Sequence, residues 1–117
     1  MVKMEKIVEQ GLLYDFYGEL LTAHQRRVYE DVVFNDLSPS EIAGELGISR
    51  QGVHDLMKRC DKILEEYEAK LHLVAKFVKI REMVGEIQSQ ADEYMETRDL
   101  ERIEQIRRLS GEITSTL

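Results

Sequence analysis

His24, His54 and His72 are the three histidines of the chain, 30 and 18 residues apart. Metal-binding side chains in small sites cluster at spacings of two to five, so this set holds no metal signature. Cys60 is the single cysteine; it completes no ligand pair and can close no disulfide within the chain. A nucleophile needs a base beside it, and no local pattern supplies one. Gly44, Gly47 and Gly52 are not followed by the Lys and Ser or Thr of a phosphate loop. The many Glu residues of 63–117 read as solvated backs of helices rather than acid/base pairs. The residues point to no catalytic centre, no metal and no cofactor, and the chain reads as a recognition or regulatory module rather than an enzyme.

Recognition chemistry has a better candidate. Ala43, Gly47 and Val53 are spaced four and then six apart. In a helix-turn-helix each has a steric task. The first helix needs a small residue where the second crosses it, the turn needs a residue that accepts positive φ, and the second helix needs a branched apolar residue where it packs back. Ile42, Leu46, Ile48 and Leu56 fill the remaining inward positions. The alternative is an ordinary tight helical corner, which shares the glycine and the apolar sites.

The elements that must position this motif are all helical. A stripe of Leu12, Leu13, Phe16, Tyr17, Leu20 and Leu21 predicts a first helix from about Met4 to Leu21. Thr22 and Gln25 form a capping box for a second helix, with Val28, Tyr29, Val32 and Val33 inward, and Asn35-Asp36 reads as its break. Ser38, Pro39 and Glu41 start a short third helix that Gly47 ends, and Ser49 caps a fourth. From there Val53, Met57, Cys60, Leu64, Tyr67, Leu71, Val74 and Val78 alternate spacings of four and three, a heptad seam. A 26-residue helix over that seam would run about 39 Å. The seam slips between His72 and Arg81; Ile80, Val84, Ile87, Ala91 and Tyr94 continue in a second phase. After a polar restart at Thr97–Asp99, Leu100, Ile103, Ile106, Leu109, Ile113 and Leu117 mark a last amphipathic helix. The expected fold is all-α: a helix-turn-helix head with a long helix and a C-terminal helical extension. The expected division is 1–66 for the head with its N-terminal helix and 67–117 for a dimerisation or extension region. A seam too long for the head to cover predicts a homodimer.

The totals agree with a small helical domain. The 117 residues include 43% apolar and 33% charged side chains, one Pro and no Trp, enough to bury a core without covalent staples. Apolar runs stop at three residues, as in Val32-Val33-Phe34, so neither a signal peptide nor membrane insertion is expected, and with one cysteine a cytoplasmic location is. The net charge is −7, which opposes nucleic-acid binding in bulk. Its distribution is uneven: four basic and seven acidic residues over 1–37, four of each over 38–62, and eight against twelve over 63–117.

Leu21 to Arg59, and above all "LSPSEIAGELGISRQGVHDLMKR", resembles region 4 of bacterial sigma factors. The stretch from Tyr14 to Phe77 resembles more closely the YlxM family of helix-turn-helix proteins, whose members are typically encoded beside the signal recognition particle GTPase or its receptor. The last forty residues match that pattern only in being helical and charged. The resemblance implies that Ser49, Arg50, Gln51, His54, Asp55 and Lys58 face a DNA groove. Arg50 would read guanine and Gln51 adenine, while Lys58, Arg59, Arg26 and Arg27 would reach phosphate. Asp55 departs from what a DNA reader wants. A solvated polar face is the plain alternative for all of them.

Two functions follow from different features. One is a DNA-binding regulatory protein that reads duplex DNA as a dimer and takes part in the signal recognition particle pathway. The other is an adaptor of that targeting machinery, binding protein or RNA without sequence-specific DNA contact; the acidic balance, Asp55 and the helical tail favour it.

Overall fold

The computed structural model describes residues 5–117, which form two compact units, 5–72 and 73–117. Six helices run in order: α1 Lys6–Tyr17, α2 Ala23–Val33, α3 Pro39–Leu46, α4 Arg50–Leu71, α5 Leu73–Thr97 and α6 Leu100–Thr116. The all-α helix-turn-helix class expected from the periodicities is the class observed.

In the first unit α1, α2 and α3 each pack on α4. Helix α1 is shorter than its apolar stripe suggests and gives way to a single 3-10 turn at Gly18–Leu20. A Cβ at Gly18 would stand 2.8 Å from the Tyr14 ring, so the close packing at the start of this turn requires glycine. Only Leu13, Tyr17 and Leu21 of the stripe are buried, whereas Leu20 is 55% exposed. Met4 lies outside the described residues. Thr22 caps α2 with a full capping box, its Oγ1 accepting from Gln25 N–H at 3.2 Å and its own N–H donating to Gln25 Oε1 at 2.9 Å. Val28 and Tyr29 are buried behind it.

Helix α4 buries Val53, Met57, Cys60 and Leu64. The first half of the heptad seam is therefore covered by helices of its own chain. The seam does not run along one helix to Val78. Helix α4 ends at Leu71, His72 turns left-handed (φ 56°, ψ 26°), and α5 begins at Leu73. Leu71 is 49% exposed. One residue of αL backbone ends α4 while leaving the four-three spacing intact on paper.

Polar bonds tie α4 to its neighbours. Asp61 accepts from the Tyr29 hydroxyl at 2.7 Å and from Gln10 Nε2 at 3.1 Å, joining α1, α2 and α4 at one carboxylate. Tyr17 donates to Glu68 at 2.6 Å. The second unit is a hairpin of α5 and α6 that buries Met83 and Leu109, with Arg102 donating across it to Gln90 at 3.0 Å. Its two-residue turn holds Arg98 at φ 58°, and Asp99 caps α6 by accepting from Glu101 N–H.

Gly47 closes α3 at φ 68°, ψ 29°, and Ile48 N–H donates to the Ala43 carbonyl at 3.2 Å in a Schellman turn. A side chain at this φ costs about 1 kcal/mol, and a β-branched one more. Gly44 sits mid-helix with open space around it, where Ala gains about 0.5–1 kcal/mol. Thermal melts should show Gly47→Val lowering Tm and Gly44→Ala raising it; equal Tm values for the two variants would contradict the turn's role.

Candidate nucleic-acid interface

The motif is built from short-range rules. Ser38 Oγ accepts from Glu41 N–H at 3.2 Å, and Pro39 occupies the first helical position of α3. Ser49 Oγ accepts from Gly52 N–H at 2.9 Å and starts α4. Of the packing positions, Ile42, Ala43 and Val53 are buried and Leu46 and Leu56 are half-buried. Gly47 is the αL residue, and Ile48, just past it in the turn, stays 39% exposed. Ile48 is a turn residue rather than an inward one.

Ser49, Arg50, Gln51, His54, Lys58 and Arg59 are all exposed on α4, as are Arg26 and Arg27 on α2. At about 100° per residue, Arg50, His54 and Lys58 drift slowly along one face, with Gln51 and Asp55 beside them. Arg59 is about half a turn from Arg50 but only four residues from Asp55, so it lies at the Gln51–Asp55 edge of that face. Arg50, Gln51 and His54 come together with Pro39 around a shallow depression of about 530 Å³ between the starts of α3 and α4. Pro39 is the lining residue that sequence reasoning missed. Its role in starting α3 was legible, but its position beside α4 is a tertiary fact.

Electrostatics separate these side chains. Gln51 Nε2 donates to Asp55 Oδ1 at 3.0 Å, so the one amide on the face is held by the one carboxylate on it. Arg26 is engaged with the Tyr14 hydroxyl, which raises its pKa by hydrogen bond and charge. Tyr14 itself is raised, by burial first and then by its bond to Glu30. Behind the face, burial and then Asp61 push the Cys60 thiol up to about 11, so it is an inert core group. Among the described residues no three His, Cys, Asp or Glu side chains are grouped as metal ligands. No described helix is long and apolar enough to cross a membrane.

A short capped helix, a left-handed glycine turn and a second helix with one buried and one polar face define a helix-turn-helix protein. The chain belongs to the UPF0122 family, described as "Putative helix-turn-helix protein, YlxM / p13 like", which matches residues 4–106. A UPF0122 protein of Halalkalibacterium halodurans is 39% identical over 97 residues, 83% of this chain and 89% of its own. The UPF0122 protein YofM of Lactococcus lactis subsp. lactis is 39% identical over 107 residues, 90% of this chain and 96% of its own. A relative from Caldanaerobacter subterraneus subsp. tengcongensis is 50% identical over 76 residues, 65% of each chain. The likeness to the YlxM family read from Tyr14 to Phe77 is thus membership. The description is of a helix-turn-helix protein and names no reaction.

Because Arg50 and Gln51 are exposed, changing either to Ala should move stability by no more than about 0.5 kcal/mol. Ser49→Ala removes an N-cap and should cost about 1 kcal/mol. Urea melts distinguish the two cases; a large loss in Arg50→Ala would mean that this side chain holds the fold rather than presenting a surface.

Proposed function

We propose that this protein is a DNA-binding regulatory protein whose α4 enters the major groove of duplex DNA. The observation that carries the reading is the exposed face bearing Arg50, Gln51, His54 and Lys58 at the start of a helix held from behind by a completed helix-turn-helix. Arg50 matches the paired acceptors of guanine, and Gln51 matches adenine once it leaves Asp55. Lys58 supplies phosphate contact along the same face, with Ser49 at its N-terminal end and Arg59 at its edge; Arg26 and Arg27 of α2 are further cations for the backbone. A regulatory part in the signal recognition particle pathway is supported by the YlxM resemblance alone. Selection from a random duplex library is the test. Arg50→Ala and Gln51→Ala should each cost about 1–3 kcal/mol of discrimination at one base pair.

The Gln51–Asp55 bond favours a second reading, an adaptor of the targeting machinery that binds protein or RNA through the same face. A carboxylate there repels phosphate and suits a basic partner. A library selection that enriches no sequence at low salt would favour the adaptor.

The reader is proposed to work as a homodimer through the α5–α6 hairpin. Val84 is 51% exposed and Ile103 42% exposed, and two helices alone cannot cover both of their apolar stripes. Twofold pairing would set two copies of α4 for two half-sites. Light scattering of the full chain should give twice 13.7 kDa, and Val84→Glu should shift it toward the monomer with helicity unchanged. A wild-type chain that is monomeric at tens of micromolar would overturn the pairing.

A further inference from the structure

The α5–α6 hairpin is electrically polarised. Residues 73–81 carry Lys76, Lys79 and Arg81 with no acid, and residues 105–117 carry Arg107 and Arg108 against Glu112, a sum of +4. The remaining stretch, 82–104, carries Arg98 and Arg102 against eight acids, a sum of −6. Because the helices are antiparallel, the two basic stretches lie at one end of the hairpin and the acidic turn at the other. The modest total for this unit, +4 − 6 = −2, conceals the separation.

At the basic end there is a shaped surface. A shallow concavity of about 840 Å³ is lined by Ala75, Lys76 and Lys79 of α5 and by Arg108, Gly111 and Ser115 of α6, with Glu112 and Thr116 beside them. Ala75, Gly111 and Ser115 keep its floor low, so a chain of atoms can approach the helices closely. Lys76 and Lys79 are exposed and, among the described residues, form no ion pair. Arg108 pairs with Glu112 at 2.6 Å and also donates to Gln105, so it is held in a fixed direction. Two uncommitted ammonium groups and one positioned guanidinium over a small-residue floor suit an extended run of phosphates better than a small acid.

We infer that this end of the hairpin is a second, sequence-independent binding site for the phosphate backbone of duplex DNA. The inference rests on the DNA reading proposed for α4 and adds what that reading lacks. The stretch 38–62 is electrically neutral, with four basic and four acidic residues, and phosphate neutralisation supplies most of the affinity of such complexes. Lys76 and Lys79 provide two contacts outside the motif, and Arg108 a third where a phosphate displaces its pairing with Glu112.

The test is the salt dependence of binding of the full chain to a random-sequence 24-base-pair duplex. Each lost phosphate contact removes about 0.9 from the slope of log affinity against log salt. Lys76→Ala with Lys79→Ala should lower the slope by about 2, so that the variant's defect, largest at low salt, shrinks about tenfold over a fourfold rise in salt. Lys76→Arg with Lys79→Arg should restore the slope. Arg108→Ala should lower the slope by about 1, whereas Arg107→Ala, the same charge change outside the concavity, should leave it unchanged. An unaltered slope in the double Ala variant, with sequence preference intact, would overturn the inference and spare the reading by α4. Equal losses for Arg107→Ala and Arg108→Ala would overturn it as well, since bulk charge would then be the cause. A chain with no preferred sequence but with the predicted slopes would keep the hairpin site and remove base reading. No duplex binding at 50 mM salt would remove both.

Discussion

Val53, Met57, Cys60 and Leu64 are 1%, 9%, 0% and 0% exposed, and every property of the first unit follows from their being covered by α1, α2 and α3. Burial of each such side chain is worth roughly 1.5–3 kcal/mol relative to exposure. Because that seam fixes the rotation of α4 about its axis, the opposite face is free to be wholly polar. Arg50, Gln51, His54 and Lys58 need do nothing for stability and can be spent on a partner. The same packing explains Ala43: where α4 crosses α3, a larger side chain would separate the helices and let the seam turn.

Apolar packing alone would leave α4 some freedom to slide along its axis, and the Asp61 carboxylate removes it. Bonds from Tyr29 and Gln10 to Asp61 demand one register of α4 against both α1 and α2. The Tyr29 hydroxyl is pushed well above its ordinary pKa by burial and by that bond, so it stays a donor throughout the physiological range. Next to it Cys60 stays protonated for the same reason, burial beside a carboxylate. A half-buried polar cluster of this kind specifies position more than it adds stability, because a slipped register would strand a carboxylate without donors.

What was legible in the sequence was whatever short-range chemistry decides. Thr22 with Gln25, Ser38 with Pro39, the αL turn at Gly47 and the cap at Ser49 each depend on residues within four positions, and each stands where the residue types place it. The slip expected between His72 and Arg81 is present as a helix break at His72, which turns left-handed with no glycine to announce it while the four-three spacing continues across it. Where tertiary contacts decide, the pattern misled. Ile48 has the composition of a core residue and sits outside the helix because Gly47 has already turned the chain. Nothing in the pattern singles out Asp61, and only the fold brings Tyr29 and Gln10 to it. Of the candidate interface, the residues of α4 were readable because helical periodicity groups them. Pro39 beside α4 required the structure.

The acidic total of the chain is a poor guide to what α4 can do, since the acidic excess lies on both flanks, 1–37 and 63–117, while 38–62 is neutral. The more telling acid is Asp55. Its hydrogen bond to Gln51 must be exchanged before Gln51 can pair with a base edge, and a hydrogen bond of this kind is worth about 0.5–1.5 kcal/mol net. In the proposed DNA reading, the amide would recover two bonds on a matching base pair for the one given up, and Asp55 would be released toward a cytosine amine, one of the few groups in the groove that welcomes a carboxylate. On a mismatched pair both side chains lose: the amide has exchanged its partner for less, and the carboxylate faces acceptors or phosphate. Under that reading the internal bond lowers affinity for every sequence alike, and discrimination comes from the Asp55 carboxylate itself, which acts against acceptors and phosphate as an introduced repulsion does in other selective interfaces. If α4 reads DNA, its acidic residue acts on discrimination, and the bulk attraction has to come from cations elsewhere on the chain.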